Sequence, residues 1–178
     1  MQKTSRSILL ISALTTLILS GCGFHPRGET LIPRDLGTIY VGGSEYGEIT
    51  HQIRNELQIA DISIAKMPSA ANYKIMLVSS NSNDRVLSLG DGARAAQYML
   101  LEEATIEIRD AQDKVLMGPE TLSERRILNY NSDTPQDSSQ EQRLLRNEMK
   151  KNLARKIARQ LRIVADQKTA DKKSASTS

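Results

Sequence analysis

Tryptophan is absent from the 178-residue chain, and phenylalanine and cysteine occur once each. A single cysteine excludes an internal disulfide and a thiolate zinc cluster. Two histidines, His25 and His51, leave almost nothing from which to build a His-based triad or metal centre. Aromatics make 3% of the chain, too few to stack a run of bases. Charge of one sign is also scarce. The net charge is +3, and +1 without Lys3 and Arg6, which fall in the leader described below. A nucleic-acid binder carries a larger basic excess. What remains is a globular composition, 39% apolar and 25% charged, at a length that predicts one domain.

The longest apolar run, Ile8 to Leu19, follows the basic start Lys3 to Arg6. At 1.5 Å per residue it spans only about 18 Å, against a bilayer core of about 30 Å. It reads as a secretory signal peptide over residues 1–21. The run ends in Leu19-Ser20-Gly21-Cys22, where the only cysteine falls. This resembles a bacterial lipobox, which implies acylation of Cys22 as the first mature residue. The only attached group expected is that covalent acyl and diacylglycerol lipid; no other cofactor and no metal is expected. Gly23 follows the cysteine. In the lipoprotein pattern, aspartate there retains a protein at the inner membrane. Its absence implies the outer membrane of a diderm bacterium, with the chain anchored on the periplasmic side.

Residues 22–36, with Pro26, Gly28 and Pro33, read as an extended tether. The domain is expected over 37–165. Thr38 to Val41 predicts a short strand, stopped by Gly42-Gly43. Ser44 is placed to cap a helix over about 45–59, in which Ile49, Ile53 and Leu57 recur every four residues. Ile62-Ser63-Ile64 predicts a short strand. Tyr73 to Val78 predicts β structure, and Arg85 to Leu89 continues it after a polar Ser/Asn stretch. Gly90-Asp91-Gly92 is a turn signal. In Tyr98 to Arg109, the residues Tyr98, Leu100, Ala104, Ile106 and Ile108 share one parity; Glu102 breaks that face and predicts a bulge or a local twist. After a turn at Asp110 to Lys114, a last strand runs from Val115 to Leu128. Gly118-Pro119 within it favours an edge or a bulge. Ser138 and Glu141 fit a capping box for a helix over about 140–164, with the stripe Leu145, Met149, Leu153, Ile157 and Leu161. Residues 166–178 read as a disordered, dispensable tail. The fold class expected is α+β, a two-layer sandwich of two helices on a four- to five-stranded mixed sheet.

No active site emerges, and the chain is not read as an enzyme. Glu102 and Glu103 would point to opposite faces of a strand. His51 lies away from the apolar stripe, and His25 sits close to the lipid. The glycine clusters match no phosphate-binding pattern. The most charged element is the terminal helix, with a net +5 over residues 141–166. Its basic face, including Arg143, Arg146 and Lys150, reads either as solvated surface or as a patch for anionic lipid or an acidic protein.

Four segments in this order and spacing resemble the LptE lipopolysaccharide-assembly lipoprotein family. They are Cys22-Gly23-Phe24-His25-Pro26-Arg27-Gly28, Ile53-Arg54-Asn55-Glu56-Leu57, the hairpin ending in Gln97-Tyr98-Met99, and Asn147-Glu148-Met149. The resemblance spans about residues 8–164. It implies an outer-membrane lipoprotein that plugs the LptD β-barrel one to one, assists its assembly and binds lipopolysaccharide through basic residues near the middle hairpin. Here those would be Arg85 and Arg94, flanking a turn that itself carries no base. The lipid anchor would hold the chain on the inner leaflet of the outer membrane, and no nucleic-acid partner is expected. The competing reading is an outer-membrane lipoprotein carrier or chaperone for acylated cargo, which would need a cavity lined with large apolar side chains.

Overall fold

The computed structural model describes residues 36–43, 47–90, 95–131 and 134–175. The leader, Cys22, the tether up to residue 35, Ser44 and the Asp91–Arg94 turn lie outside them. Strand β1 is Ile39–Gly42, helix α1 Glu48–Ile59, strand β2 Tyr73–Leu89, strand β3 Ala95–Asp110, strand β4 Val115–Asn129 and helix α2 Pro135–Ala175. The four strands form one mixed sheet in the order β1-β2-β3-β4. The β1–β2 pair is parallel and joined through α1; the other two pairs are antiparallel. This is the two-layer α+β architecture read from the sequence, with four strands.

The apolar stripe of α1 buries Ile49, Ile53 and Leu57 against the sheet, as its period requires. The helix starts at Glu48 behind Gly47, not at a serine cap. It ends in a Schellman turn: Ile62 N–H donates to Leu57 O (3.0 Å) and Asp61 N–H to Gln58 O (3.0 Å), with Asp61 in the left-handed region. The Ile62–Ile64 strand reduces to a single bridge from Ile64 to Ile39.

β2 continues from Tyr73 to Leu89 through the polar stretch, because the ladder to β3 runs through Ser79 to Asp84; its register shifts at Val78 and again beyond Val86. β3 alternates strictly from Leu100 to Asp110, and Glu102 stays in the helix-facing row. No bulge relieves it; an arginine neutralises it instead. β4 is an edge strand, and its register shifts opposite Ile106 and Ile108, so Pro119 has both the edge and the irregularity expected. Gly118 there has φ +110, and a Cβ would stand 2.6 Å from the Ile106 carbonyl, which reserves the position for glycine.

α2 begins at Pro135, where a missing N–H costs nothing. Ser138 is therefore inside the first turn rather than the cap. Its hydroxyl accepts from Asn131 N–H (3.1 Å) and holds the incoming loop. The helix does not stop near 164, nor is 166–175 disordered: α2 continues to Ala175. Residues 166–175 carry no apolar stripe, but Lys168 reaches back to Asp110 on the sheet (2.9 Å) and lies over the Tyr73 ring.

Helices cover one sheet face in two unequal parts. The proximal cluster joins Ile39, Val41, Ile75, Leu77, Ile106 and Ile108 of the strands to both helices through Ile53, Leu57, Leu153, Ile157 and Leu161. The distal cluster is only Leu100, Leu128 and Met149, with Tyr98 and Leu145 packed on it. Tyr98 meets Tyr130 edge to face at 5.7 Å.

Candidate functional site on the distal hairpin

Between the two clusters lies a polar seam. Ser82 and Asp84 of β2, Glu102 of β3 and Glu124 of β4 all face the helix layer. Glu102 and Glu124 are directly opposite on neighbouring strands, an arrangement that like charges destabilise. α2 supplies the compensation. The Arg146 guanidinium pairs with Glu102 and Asp84 and donates to the Ser82 hydroxyl. Ser82 in turn donates to Glu102 at 2.6 Å. Gln142 donates to Asp84 at 2.9 Å. Lys156 pairs with Glu124 at 2.6 Å, supported by Arg126 and by Asn152. Burial pushes the Glu124 carboxyl up, but these donors outweigh it and its pKa lies below the ordinary value. At the other end of the sheet the Lys168 ammonium holds Asp110 below its ordinary value, against the cost of burial. The Lys114 and Gln112 amides add to the effect.

Such pairs to other elements account for half of the eight bases over residues 141–166: Arg146, Lys150, Arg155 and Lys156. Arg146 binds Glu102 and Asp84, Lys150 binds Glu48, and Arg155 binds Glu56 at 3.1 Å. Two of the three basic-face candidates, Arg146 and Lys150, thus join α2 to the rest of the fold, with side chains only 17% exposed. Arg143 is exposed on the first turns of α2. The sequence could not separate these roles, because the acids that neutralise the helix lie on α1, β2, β3 and β4.

Among the described residues, no helix lies on the opposite sheet face. Register places Arg85, Met99 and Ile127 in one outward row, and Asn83, Leu101 and Arg125 in the next. Arg85 and Arg125 are exposed, and neither guanidinium forms an ion pair or side-chain hydrogen bond among the described residues. Arg94 lies outside the described residues, so only one of the two leading candidates is placed. Arg125 is absent from the expectations above; its signal was the pairing of parities across β3 and β4, which needs the register. Apolar strand side chains are also open at this end: Leu89 is 64% exposed and Ile127 59%. An exposed apolar surface flanked by unpaired cations suits an anionic amphiphile.

Concave features are modest. A cavity of about 130 Å³ lies at the seam between Glu48, Ser80, Ser82, Glu102 and Lys150. An open groove of about 820 Å³ runs between the outer sides of α1 and α2, along Gln52, Asn55, Ile59, Lys151 and Arg155. Neither is an enclosed apolar chamber for an acyl chain. Among the described residues no three His, Cys, Asp or Glu side chains gather to hold a metal, and no helix is long and apolar enough to cross a membrane.

The LptE model, described as lipopolysaccharide-assembly, matches residues 36–161. The chain belongs to the LptE family. It is 28% identical over 163 residues to the LPS-assembly lipoprotein LptE of Pectobacterium atrosepticum, covering 88% of this chain and 85% of that one. A second LptE, from Photorhabdus laumondii, is 28% identical over 160 residues, with the same coverage. Among solved structures, lipoprotein B of Nitrosomonas europaea superposes with a TM-score of 0.68 at 19% identity, over 81% of this chain and 93% of that one. The rare lipoprotein B of Shewanella oneidensis gives 0.62 at 22%, over 76% and 99%. These two structures share the fold. Membership of LptE supports a role in lipopolysaccharide assembly, and the matched segment contains the whole distal hairpin, the seam and α2 as far as Leu161.

Proposed function

We propose that this chain is a lipid-anchored subunit of the outer-membrane lipopolysaccharide-assembly machinery that acts without catalysing a reaction. In this reading Cys22 carries the lipid and holds the chain on the periplasmic side of the outer membrane. The domain plugs the lumen of an LptD β-barrel and helps it assemble. The distal hairpin, through Arg85 and Arg94, meets lipopolysaccharide on its way to the outer leaflet. The observation that carries the reading is the LptE match across residues 36–161. Two further features support it. The outward sheet face is polar at Ser79, Asn81, Glu103, Thr105 and Thr121, and barrel lumens are polar. The distal end combines open apolar side chains with unpaired arginines, which matches a ligand that has both acyl chains and phosphates.

Recovery of the acylated protein from membranes in mild detergent tests the partner. Stoichiometric co-purification of one large outer-membrane barrel is expected; recovery of the chain alone in its folded state would refute the plug. Labelling with a palmitate analogue tests the anchor: label is expected on the wild type and absent from Cys22→Ser.

A further inference from the structure

Of the cations carried by the described parts of β2, β3 and β4, Lys74 pairs with Asp113, Arg109 with Glu107 and Arg126 with Glu124. Arg85 and Arg125 alone have no carboxylate, and both stand on the uncovered face. The outward carboxylate nearest in register, Glu103, is one row further from the tip and bonds neither. Two strand spacings of about 4.8 Å and two residues of about 3.4 Å put the Cα atoms of Arg85 and Arg125 about 12 Å apart. Between them on β3 lie Met99 and Leu101, with Ile127 beside Met99 on β4. Met99 and Leu101 are half-buried by their neighbours and Ile127 is open. The result is an apolar strip with one guanidinium at each diagonal corner, on a three-stranded platform.

We infer that Arg85 and Arg125 form a two-point phosphate clamp on the outward sheet face, with Met99, Leu101 and Ile127 as its apolar floor. The occupant is the bisphosphorylated, acylated disaccharide at the base of lipopolysaccharide. The inference rests on the lipopolysaccharide-binding reading above and adds Arg125 and a requirement for two phosphates to it. Guanidinium suits the role because it donates bidentately to phosphate and is weakly hydrated, so it binds beside apolar surface at low desolvation cost. The separation gives specificity. A ligand with one phosphate engages one arginine and leaves the other solvated, whereas a ligand with two engages both. Methionine in the floor adapts to acyl chains of different packing.

Equilibrium binding by the full acylated protein decides this, with bisphosphorylated lipid A and lipid A dephosphorylated at one end as the two probes. A charge-assisted hydrogen bond contributes about 1.5–3 kcal/mol, so the wild type is expected to prefer the bisphosphorylated form by about tenfold or more. Arg125→Gln should abolish that preference and leave binding of the monophosphorylated form within about twofold of wild type. Arg85→Gln should do the same. A retained preference in Arg125→Gln overturns the clamp. Equal weakening toward both lipids also overturns it, by reducing Arg125 to a general contact. Unchanged lipid binding with loss of a co-purified barrel would assign the face to protein contact and overturn it too. Failure of the wild type to bind either lipid would instead remove the lipopolysaccharide-binding reading on which the clamp stands.

Discussion

Where Leu153, Ile157 and Leu161 of α2 share a cluster with Ile106 and Ile108, the helix meets the sheet mainly through aliphatic side chains, with Lys156 pairing Glu124 at the β4 edge. Two turns earlier the same helix meets Glu102, Asp84 and Ser82 through Arg146. Beyond that, three fully buried side chains form the distal cluster. Burying an aliphatic side chain contributes roughly 1.5–3 kcal/mol, and the proximal half does so many times over. The distal half does so few times and relies on desolvated ion pairs. Such pairs add little net stability but fix partners closely, since removing one leaves the other buried and uncompensated. The comparison teaches that the fold is stabilised at one end and positioned at the other. The positioned end is the one that carries the unpaired arginines and the open apolar side chains.

The largest effect is expected in the proximal core. Ile157→Ala should lower the global unfolding free energy by about 2–5 kcal/mol, read by denaturant titration, with all probes moving together. Arg146→Met should cost about 3 kcal/mol, because Glu102 and Asp84 lose their cation. Adding Glu102→Leu should recover much of that loss. Failure of the second substitution to rescue would show that the seam contributes more than the neutralisation of Glu102.

A smaller effect is expected at the other end of α2. Lys168→Met removes the cation that lowers the Asp110 pKa. A depressed folded-state pKa gives stability above the unfolded carboxylate value of about 3.9, lost as pH falls through the folded value. The wild type should therefore be more stable than Lys168→Met at pH 7; the difference should start to shrink below about pH 4 and vanish only below the depressed folded-state value. Truncation after Asp166 should lower the thermal midpoint by a few degrees for the same reason, which the sequence alone did not anticipate. The smallest effect belongs to the outward face. Arg85→Gln and Arg125→Gln should change stability by under about 0.5 kcal/mol, so any loss of binding reports on the ligand.

Much of the proximal half was legible in the sequence because its signals are local. The four-residue recurrence of Ile49, Ile53 and Leu57 and the alternation of Ala104, Ile106 and Ile108 each specify their own buried face. The distal half was not, because its polar residues are explained only by distant partners. The polarity of Ser79 to Asp84 has no explanation until Arg146 and Gln142, about sixty positions on, are seen to bind Ser82 and Asp84. Glu102 looks like a break in a strand until the same arginine neutralises it. The basic stripe of α2 looks like a binding face until its acids are found on four other elements. The final turns of α2 lack a stripe because a single ion pair to Asp110, rather than apolar burial, ties them down. Family resemblance pointed to the middle hairpin; the register added Arg125.

Native-state hydrogen exchange, resolved by residue, tests the contrast between the halves most directly. The amides of Asn81 to Asp84 and Leu100 to Glu103 are expected to exchange through an opening of lower free energy than those of Ile75 and Ala104 to Ile108. Arg146→Met should lower protection at the first group and leave the second group's opening energy nearly unchanged. Equal protection along the whole of β3, with Arg146→Met lowering both groups alike, would contradict the account: the sheet would then be one cooperative unit, with no separately held distal arm.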